Sequence, residues 1–171
     1  MASLKVKPKE YYLATIHRAD NTDNIENLRN IFDALTEIGK NKSVIIPLHP
    51  RTKKALESAP FLVHNPNKSI KTIEPVSYFD MLILEKNAKK IRTDTWGIQK
   101  EAYLLGVPCV TLRNETEWVE TLENGWNVIV ETNKKRIINI ALRSTLVKND
   151  TSYPLFGDAK AAEKILKCLC F

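Results

Sequence analysis

Glycine is scarce. The chain has five in 171 residues (Gly39, Gly97, Gly106, Gly125 and Gly157), and they form no G-x-G-x-x-G and no G-x-x-x-x-G-K-[ST]. Dinucleotide fingerprints and P-loops need glycines at those spacings for tight turns and close approach to phosphate, so neither is supported. A nucleophile elbow is missing too. Cysteine is nearly as rare: Cys109, Cys168 and Cys170, an odd number, with the last two separated by one residue. Neither a disulfide framework nor a zinc site follows. The three histidines are dispersed, so no metal and no cofactor is expected. Apolar runs are short, and none approaches the ~20 residues of a membrane span. The start Met1-Ala2-Ser3-Leu4-Lys5 has no hydrophobic signal core, which reads as a cytoplasmic chain without a membrane partner. Without a secretory signal, the sequons at Asn41, Asn67, Asn114 and Asn149 are chance matches.

What is present is ordinary globular material. Hydrophobic residues make up 43% and charged residues 27%, which excludes disorder, collagen and coiled coil as whole-chain readings. A chain of this length buries roughly 70% of its unfolded surface. The 26 basic against 20 acidic residues give a net charge of +6. The basic residues fall in small groups (Lys5/Lys7/Lys9, Arg51/Lys53/Lys54, Lys89/Lys90/Arg92, Lys134/Lys135/Arg136) rather than along one helix. They read as solvated surface at loops and helix ends, not as a nucleic-acid footprint; a small phosphate-bearing ligand is compatible.

Strand-like runs alternate with helical patterns. Tyr11–Ile16 reads as a strand; Ile25, Leu28, Ile31, Phe32, Leu35 and Ile38 then share a helical face. Asp23 with Glu26 marks that helix's start and Gly39 its stop. Ser43–Leu48 is a second strand, and Pro50 opens a helix to about Ala59. Ile70–Ile73 is a third, followed by a helix after Pro75 that carries Phe79, Leu82 and Ile83. Lys90–Thr93 precedes a helix from Gly97 to Leu105, closed by Gly106; Pro108–Leu112 is the next strand. A short helix over Val119–Asn124, a strand over Trp126–Val130 and a helix over Ile137–Leu146 complete the pattern. Such alternation predicts an α/β fold with a doubly wound parallel sheet of Rossmann type. Ligands of such sheets sit beyond the C-terminal strand ends, here the loops after Ile16, Leu48, Ile73, Thr93 and Leu112.

Candidate chemistry falls on those loops. His17-Arg18 and His49-Pro50-Arg51 each put a switchable and a permanent charge at a strand end, where they can meet an anion; each histidine can equally be a surface or capping residue. His64, between Val63 and Asn65, reads as structural. In Thr93-Asp94-Thr95-Trp96-Gly97-Ile98-Gln99-Lys100-Glu101-Ala102, a strand ends, a hydroxyl and a glycine follow, and a helix begins. The N–H groups of that helix start can take a pyrophosphate, and Glu101, one turn inward, can accept from ribose hydroxyls. By pattern alone, Thr95 is as readily a plain N-cap and Glu101 a solvated helix residue.

The ordered series Thr-Ile-His17-Arg18-Ala-Asp-Asn21, Leu-His49-Pro50-Arg51, Glu-Pro75-Val-Ser-Tyr78, Thr93–Ala102 and Gly106-Val-Pro108-Cys-Val-Thr-Leu-Arg113-Asn-Glu-Thr116-Glu117-Trp118 resembles the C-terminal half of the non-hydrolysing UDP-N-acetylglucosamine 2-epimerases. The resemblance runs from about Tyr12 to Leu169. It implies one half of a glycosyltransferase-B arrangement, with the nucleotide between two Rossmann-like domains. Residues 11–171 then form the C-terminal nucleotide-sugar-binding domain and residues 1–10 a leader or linker. The N-terminal partner domain, which supplies the family's main acid/base carboxylates, is not in this sequence. A full-length member is expected to be a homodimer.

The family's reaction eliminates UDP to a 2-acetamidoglucal and re-adds it after C2 has lost its configuration. By resemblance, His17 matches the histidine at the active-site cleft and Arg18 the arginine beside it. Thr95, Trp96 and Gly97 match the Ser-Gly-Gly that holds the diphosphate, and Glu101 matches the glutamate on ribose. Met81 matches a position whose backbone faces uracil, and Arg113 joins the substrate-binding set. His49 matches a histidine that lines a second, activating UDP-N-acetylglucosamine site in bacterial members. Two departures stand out. Trp96 replaces a glycine where backbone approaches phosphate, and Thr-Glu-Arg-Pro-Glu reads Thr116-Glu117-Trp118-Val119-Glu120, which leaves open a related sugar such as a diacetamido uronic acid. Trp96 is expected to point outward and be partly exposed, since an inward indole would block the helix-start N–H groups. Two other classes stay open: the nucleotide half of a glycosyltransferase of the same fold, and a pure binding or regulatory module.

Overall fold

A computed structural model describes residues 7–60, 69–142, 156–158 and 160–169. His64 and the end of the helix expected over Ile137–Leu146 lie outside the described residues. Among the described residues, six parallel strands form one sheet: β1 (Tyr12–Thr15), β2 (Val44–Pro47), β3 (Ile70–Ile73), β4 (Lys90–Thr93), β5 (Cys109–Thr111) and β6 (Asn127–Ile129), in the order β3-β2-β1-β4-β5-β6. Tyr12 is in register with Val44 on one side and with Lys90 on the other. The helices are α1 (Ala19–Thr22), α2 (Ile25–Gly39), α3 (Pro50–Ser58), α4 (Tyr78–Asn87), α5 (Trp96–Leu104), α6 (Lys134–Leu142) and α7 (Ala161–Leu169), with a 3-10 segment over Val119–Gly125.

Neighbouring residues of a strand face opposite sides, so one apolar run feeds two cores. Ala14 and Ile46 pack with Leu28, Phe32, Leu35 and Ile137 under α2 and α6. Leu13 and Ile45 pack with Leu84, Ile91, Ile98 and Ala102 under α4 and α5. This is the expected doubly wound α/β class. Because β1 and β4 are adjacent while the chain winds away from them in both directions, the crevice at the switch point opens beyond their C-terminal ends.

Several expectations need correction. The N-cap of α2 is Asn24, whose side chain accepts from Glu26 N and Asn27 N; Asp23 instead ends α1. Gly39 is the last helical residue and has no left-handed backbone. Its reason is contact: a Cβ there would stand 2.5 Å from Ser69 Oγ. Gly106, by contrast, has φ +65° and closes α5 as expected. Lys90 and Arg92 are not solvated surface. They belong to β4, hydrogen-bonded on both sides, where burial takes whatever side chains the strand carries. Arg92 is fully buried with its guanidinium 4.3 Å from the Tyr12 ring, and burial lowers its pKa to about 10. The end helix α7 was not expected; its Ile165, Leu166 and Leu169 are exposed. No helix among the described residues is long and apolar enough to cross a membrane.

Candidate active site

The loop after β1 and the loop after β4 are tied together by one carboxylate. Asp94 is fully buried and accepts from the backbone N–H groups of His17 (3.0 Å) and Arg18 (3.0 Å) and from Asn21 Nδ2 (3.0 Å). The same Asn21 amide donates to the carbonyl of Leu112, at the end of β5 (3.0 Å). Beneath it, the hydroxyls of Thr15 and Thr93 meet at 2.7 Å, and Thr93 Oγ1 accepts from Thr95 N at 2.9 Å. Three strand ends are thus held in one hydrogen-bonded frame. Asn21 also explains α1: the single turn Ala19–Thr22 lacks apolar periodicity, and this tertiary bonding replaces it.

The frame sets His17 in place. Its Nδ1 lies 3.3 Å from Thr95 Oγ1 and 3.9 Å from Asp94 Oδ1, and its ring stacks on His49 with centroids 4.9 Å apart. Burial lowers the His17 pKa; Asp94 opposes the shift, while His49 and Arg18 add to it. At neutral pH His17 is therefore an uncharged imidazole, with one ring nitrogen donating and the other accepting. His49 caps α3, its Nδ1 accepting from Arg51 N at 3.2 Å, with Pro50 at the first helical position. Between the two histidines, Met81 and Ile98 lies a cavity of about 210 Å³, walled also by Pro47, Pro75 and Val76. It is largely apolar, a fit for a planar base. Within α4 the Met81 N–H is already bonded to the Ser77 carbonyl (2.9 Å).

At the mouth of the cavity stands the start of α5. Asn24, His49 and Ser77 cap α2, α3 and α4 with their side chains, whereas Thr95 occupies the N-cap position of α5 and makes no capping bond. The first N–H groups of a helix have no partner within it, so this terminus keeps its donors and its positive dipole end. The helix begins at Trp96, one residue earlier than expected. A Cβ built on Gly97 would meet nothing within 4 Å, and its φ is not positive. Neither packing nor backbone shape inside the protein therefore requires glycine there; open space before the helix start is what it leaves.

Trp96 is 43% exposed. The Arg18 guanidinium lies 4.5 Å from its ring centre and that of Arg113 lies 5.7 Å away on the same indole. Arg113 is held in turn by both oxygens of Glu117 at 3.0 Å. The expected partial exposure of the indole is what is found. Trp118, which stands in the departed motif, donates from Nε1 to the Trp96 carbonyl at 3.0 Å and carries the Lys100 ammonium 4.4 Å from its ring centre.

Glu101 lies one turn into α5, facing α4. The Tyr78 hydroxyl lies beside it, and the interaction with this carboxylate raises the tyrosine's pKa. Glu85, fully buried in α4, stands against it as well. The residues that the motifs left unassigned are Asp94, Asn21 and Glu85. Asp94 stood in view inside the Thr-Asp-Thr-Trp-Gly run, but a buried acceptor serving a loop 77 residues away has no local signature. Among the described residues, no group of three or more His, Cys, Asp or Glu is placed to hold a metal ion.

A doubly wound sheet, with an uncapped helix start and an apolar cavity beyond its strand ends, defines a Rossmann-like α/β domain. A family model described as UDP-N-acetylglucosamine 2-epimerase matches residues 1–170, and the chain belongs to that family. It is 47% identical, over 97% of its length and 46% of the relative's, to a UDP-N-acetylglucosamine 2-epimerase homolog of Methanococcus maripaludis. The structure of the Methanocaldococcus jannaschii UDP-GlcNAc 2-epimerase superposes with a TM-score of 0.86 at 44% identity, covering 99% of this chain and 47% of that one. The same enzyme in complex with UDP-GlcNAc and UDP gives a TM-score of 0.80 at 43% identity, with the same coverage. The chain thus spans about half the length of the relatives it matches.

Proposed function

We propose that this chain is the UDP-binding half of a UDP-N-acetylglucosamine 2-epimerase, which interconverts UDP-GlcNAc and UDP-ManNAc by eliminating UDP and adding it back. The observation that carries the reading is the uncapped start of α5, with Gly97 facing open space, beside the apolar cavity between His17 and Met81. In this reading uracil enters the cavity and the diphosphate lies on the N–H groups after Thr95. Glu101 accepts from the ribose hydroxyls, and Arg18, Trp96 and Arg113 form the edge nearest the sugar.

The chemistry asks two things of the protein. A proton leaves C2 of the sugar as the bond from C1 to the diphosphate oxygen breaks, and the electron pair departs with UDP, leaving a C1–C2 double bond. Re-addition of UDP with a proton on the other face of C2 gives the epimer. The leaving charge falls on the diphosphate, where the α5 dipole and Arg18 counter it without having to reorganise. His17, uncharged at neutral pH, can donate a hydrogen bond to that oxygen through its ring N–H. The other wall of the cleft, with proton-transfer groups, belongs to an N-terminal domain; the complete enzyme is a cytoplasmic homodimer in this reading, and His49 borders a regulatory subsite.

Glu101 gives the direct test. Glu101→Ala is expected to weaken UDP by ~1–3 kcal/mol, the range for lost hydrogen bonds to a charged group. It should weaken 2′-deoxy-UDP less, because that ligand has already lost one donor. Equal losses in calorimetry would return Glu101 to the role of a surface helix residue.

A further inference from the structure

Glu85 has no explanation in packing. It sits on the face of α4 that turns to the core beside Leu84, it is fully buried, and among the described residues neither carboxyl oxygen receives a hydrogen bond. Buried carboxylates are normally ringed by donors. Here the polar neighbour is another acid, Glu101 of α5, beside it where Leu84 of α4 packs with Ile98 and Ala102 of α5. Two ionised carboxylates cannot share such a contact, but an acid and a carboxylate can, since a protonated carboxyl is itself a donor.

We propose that Glu85 is a positioning residue for Glu101: it keeps its proton, donates it to one oxygen of the Glu101 carboxylate, and so aims the other lone pairs at the ribose. The inference rests on the reading of Glu101 as the ribose acceptor. The Tyr78 hydroxyl lies beside Glu101 as well, so α4 offers two donor groups to a carboxylate on α5 that must receive two more from the ligand. Such support from behind lets one glutamate hold a defined rotamer at the half-exposed mouth of a cleft.

The pair should make nucleotide binding depend on pH in an unusual window. Burial first, and then the charge of Glu101, push the Glu85 pKa up to about 8. The other titratable groups packed there stay silent across it. Tyr78 is shifted upward and the Cys109 thiol of β5 is pushed up to about 12. The His17 pKa is lowered, so it is already neutral. Lys90 is brought down to about 8 as well, but its ammonium lies against the Ile140 and Ala141 carbonyls of α6. Above pH 8 Glu85 ionises, the donated proton is lost, and two adjacent carboxylates stand behind an anionic ligand.

Titration calorimetry with UDP between pH 7 and 9.5 tests this on wild type, Glu85→Gln and Glu85→Leu. Wild-type affinity is expected to fall roughly tenfold above pH 8, as one group changes charge. Glu85→Gln donates at every pH and should match wild type at pH 7 with a flat profile. Glu85→Leu should be flat too, but about tenfold weaker at pH 7, having no donor. A Glu85→Gln profile that falls in parallel with wild type, while Glu101→Ala still weakens UDP, overturns the inference alone. Failure of the ribose reading shows differently, as Glu101→Ala without effect on UDP. Carboxyl ¹³C NMR of the ligand-free wild-type chain needs no variant. A Glu85 signal that titrates near pH 8 supports the shared proton, and one that titrates at about 4–5, the ordinary carboxyl range, overturns it.

Discussion

Asp94→Ala is expected to cost about 3–5 kcal/mol of folding stability, the scale seen when one side of a buried charged contact is removed. The carboxylate accepts from two backbone N–H groups and one amide, at 3.0 Å each, in a place that water does not reach. Truncation leaves the N–H groups of His17 and Arg18 and the Asn21 amide without their acceptor, and each orphaned buried donor costs its own desolvation. The losses will not add fully, because they share one partner. For a domain of this size the loss corresponds to a fall in Tm of about 6–20 °C. Asp94→Asn keeps the shape and one acceptor oxygen and should lose about half as much. Chemical and thermal denaturation of the three proteins measures this. A loss below about 1 kcal/mol for Asp94→Ala would mean that the frame holding the β1, β4 and β5 ends has other supports.

This frame shows what the sequence disclosed and what it concealed. All six strands lie within the runs expected for them: β1 and β2 are short apolar stretches, and the more polar β3 and β4 were marked by the helical patterns that bound them. The site loops after β1, β2, β3 and β4 followed from the fold class alone. His17, His49 and Met81, each singled out by its place in a motif, meet at one cavity. Signals carried by tertiary contact stayed hidden. α1 has four residues and no apolar face, and Asn24 outcompeted the neighbouring Asp23 as the cap of α2 for reasons of backbone geometry. Lys90 and Arg92 misled because charge argues for surface, whereas a central strand buries both of its faces. Glu85 was invisible for the converse reason: in a helix reading Leu-Ile-Leu-Glu-Lys, a glutamate looks like the solvated edge. The α7 helix was missed although Ala162, Ile165, Leu166 and Leu169 fall at helical spacing; among the described residues Ile165, Leu166 and Leu169 are exposed.

Incubated alone with UDP-N-acetylglucosamine, the chain is expected to bind nucleotide weakly and to show no epimerisation and no exchange of the C2 proton with deuterium in the solvent. It carries His17, Thr95 and Glu101, and with them the diphosphate and ribose contacts of the proposed site. Binding from one wall leaves the sugar ring free to rotate about the diphosphate, so C2 meets no base in a fixed position. Positioning of reacting groups contributes on the order of 7–11 kcal/mol in well-ordered sites, and proton transfer by a placed side chain a further ~10²–10⁴-fold. A half-cleft forfeits most of both. The α5 dipole and Arg18 still favour a departing diphosphate, but charge stabilisation without proton removal at C2 leaves the elimination blocked at its first demand. Proton NMR of the anomeric signals in deuterium oxide reads both quantities together: the ratio of the two epimers and the label at C2. Robust conversion, or C2 exchange without conversion, by this chain alone would place the proton-transfer group on His17 or a neighbour. The same spectra recorded after adding a separately expressed N-terminal half of a relative should show exchange first and epimer second, because the proton must leave C2 before its face can change.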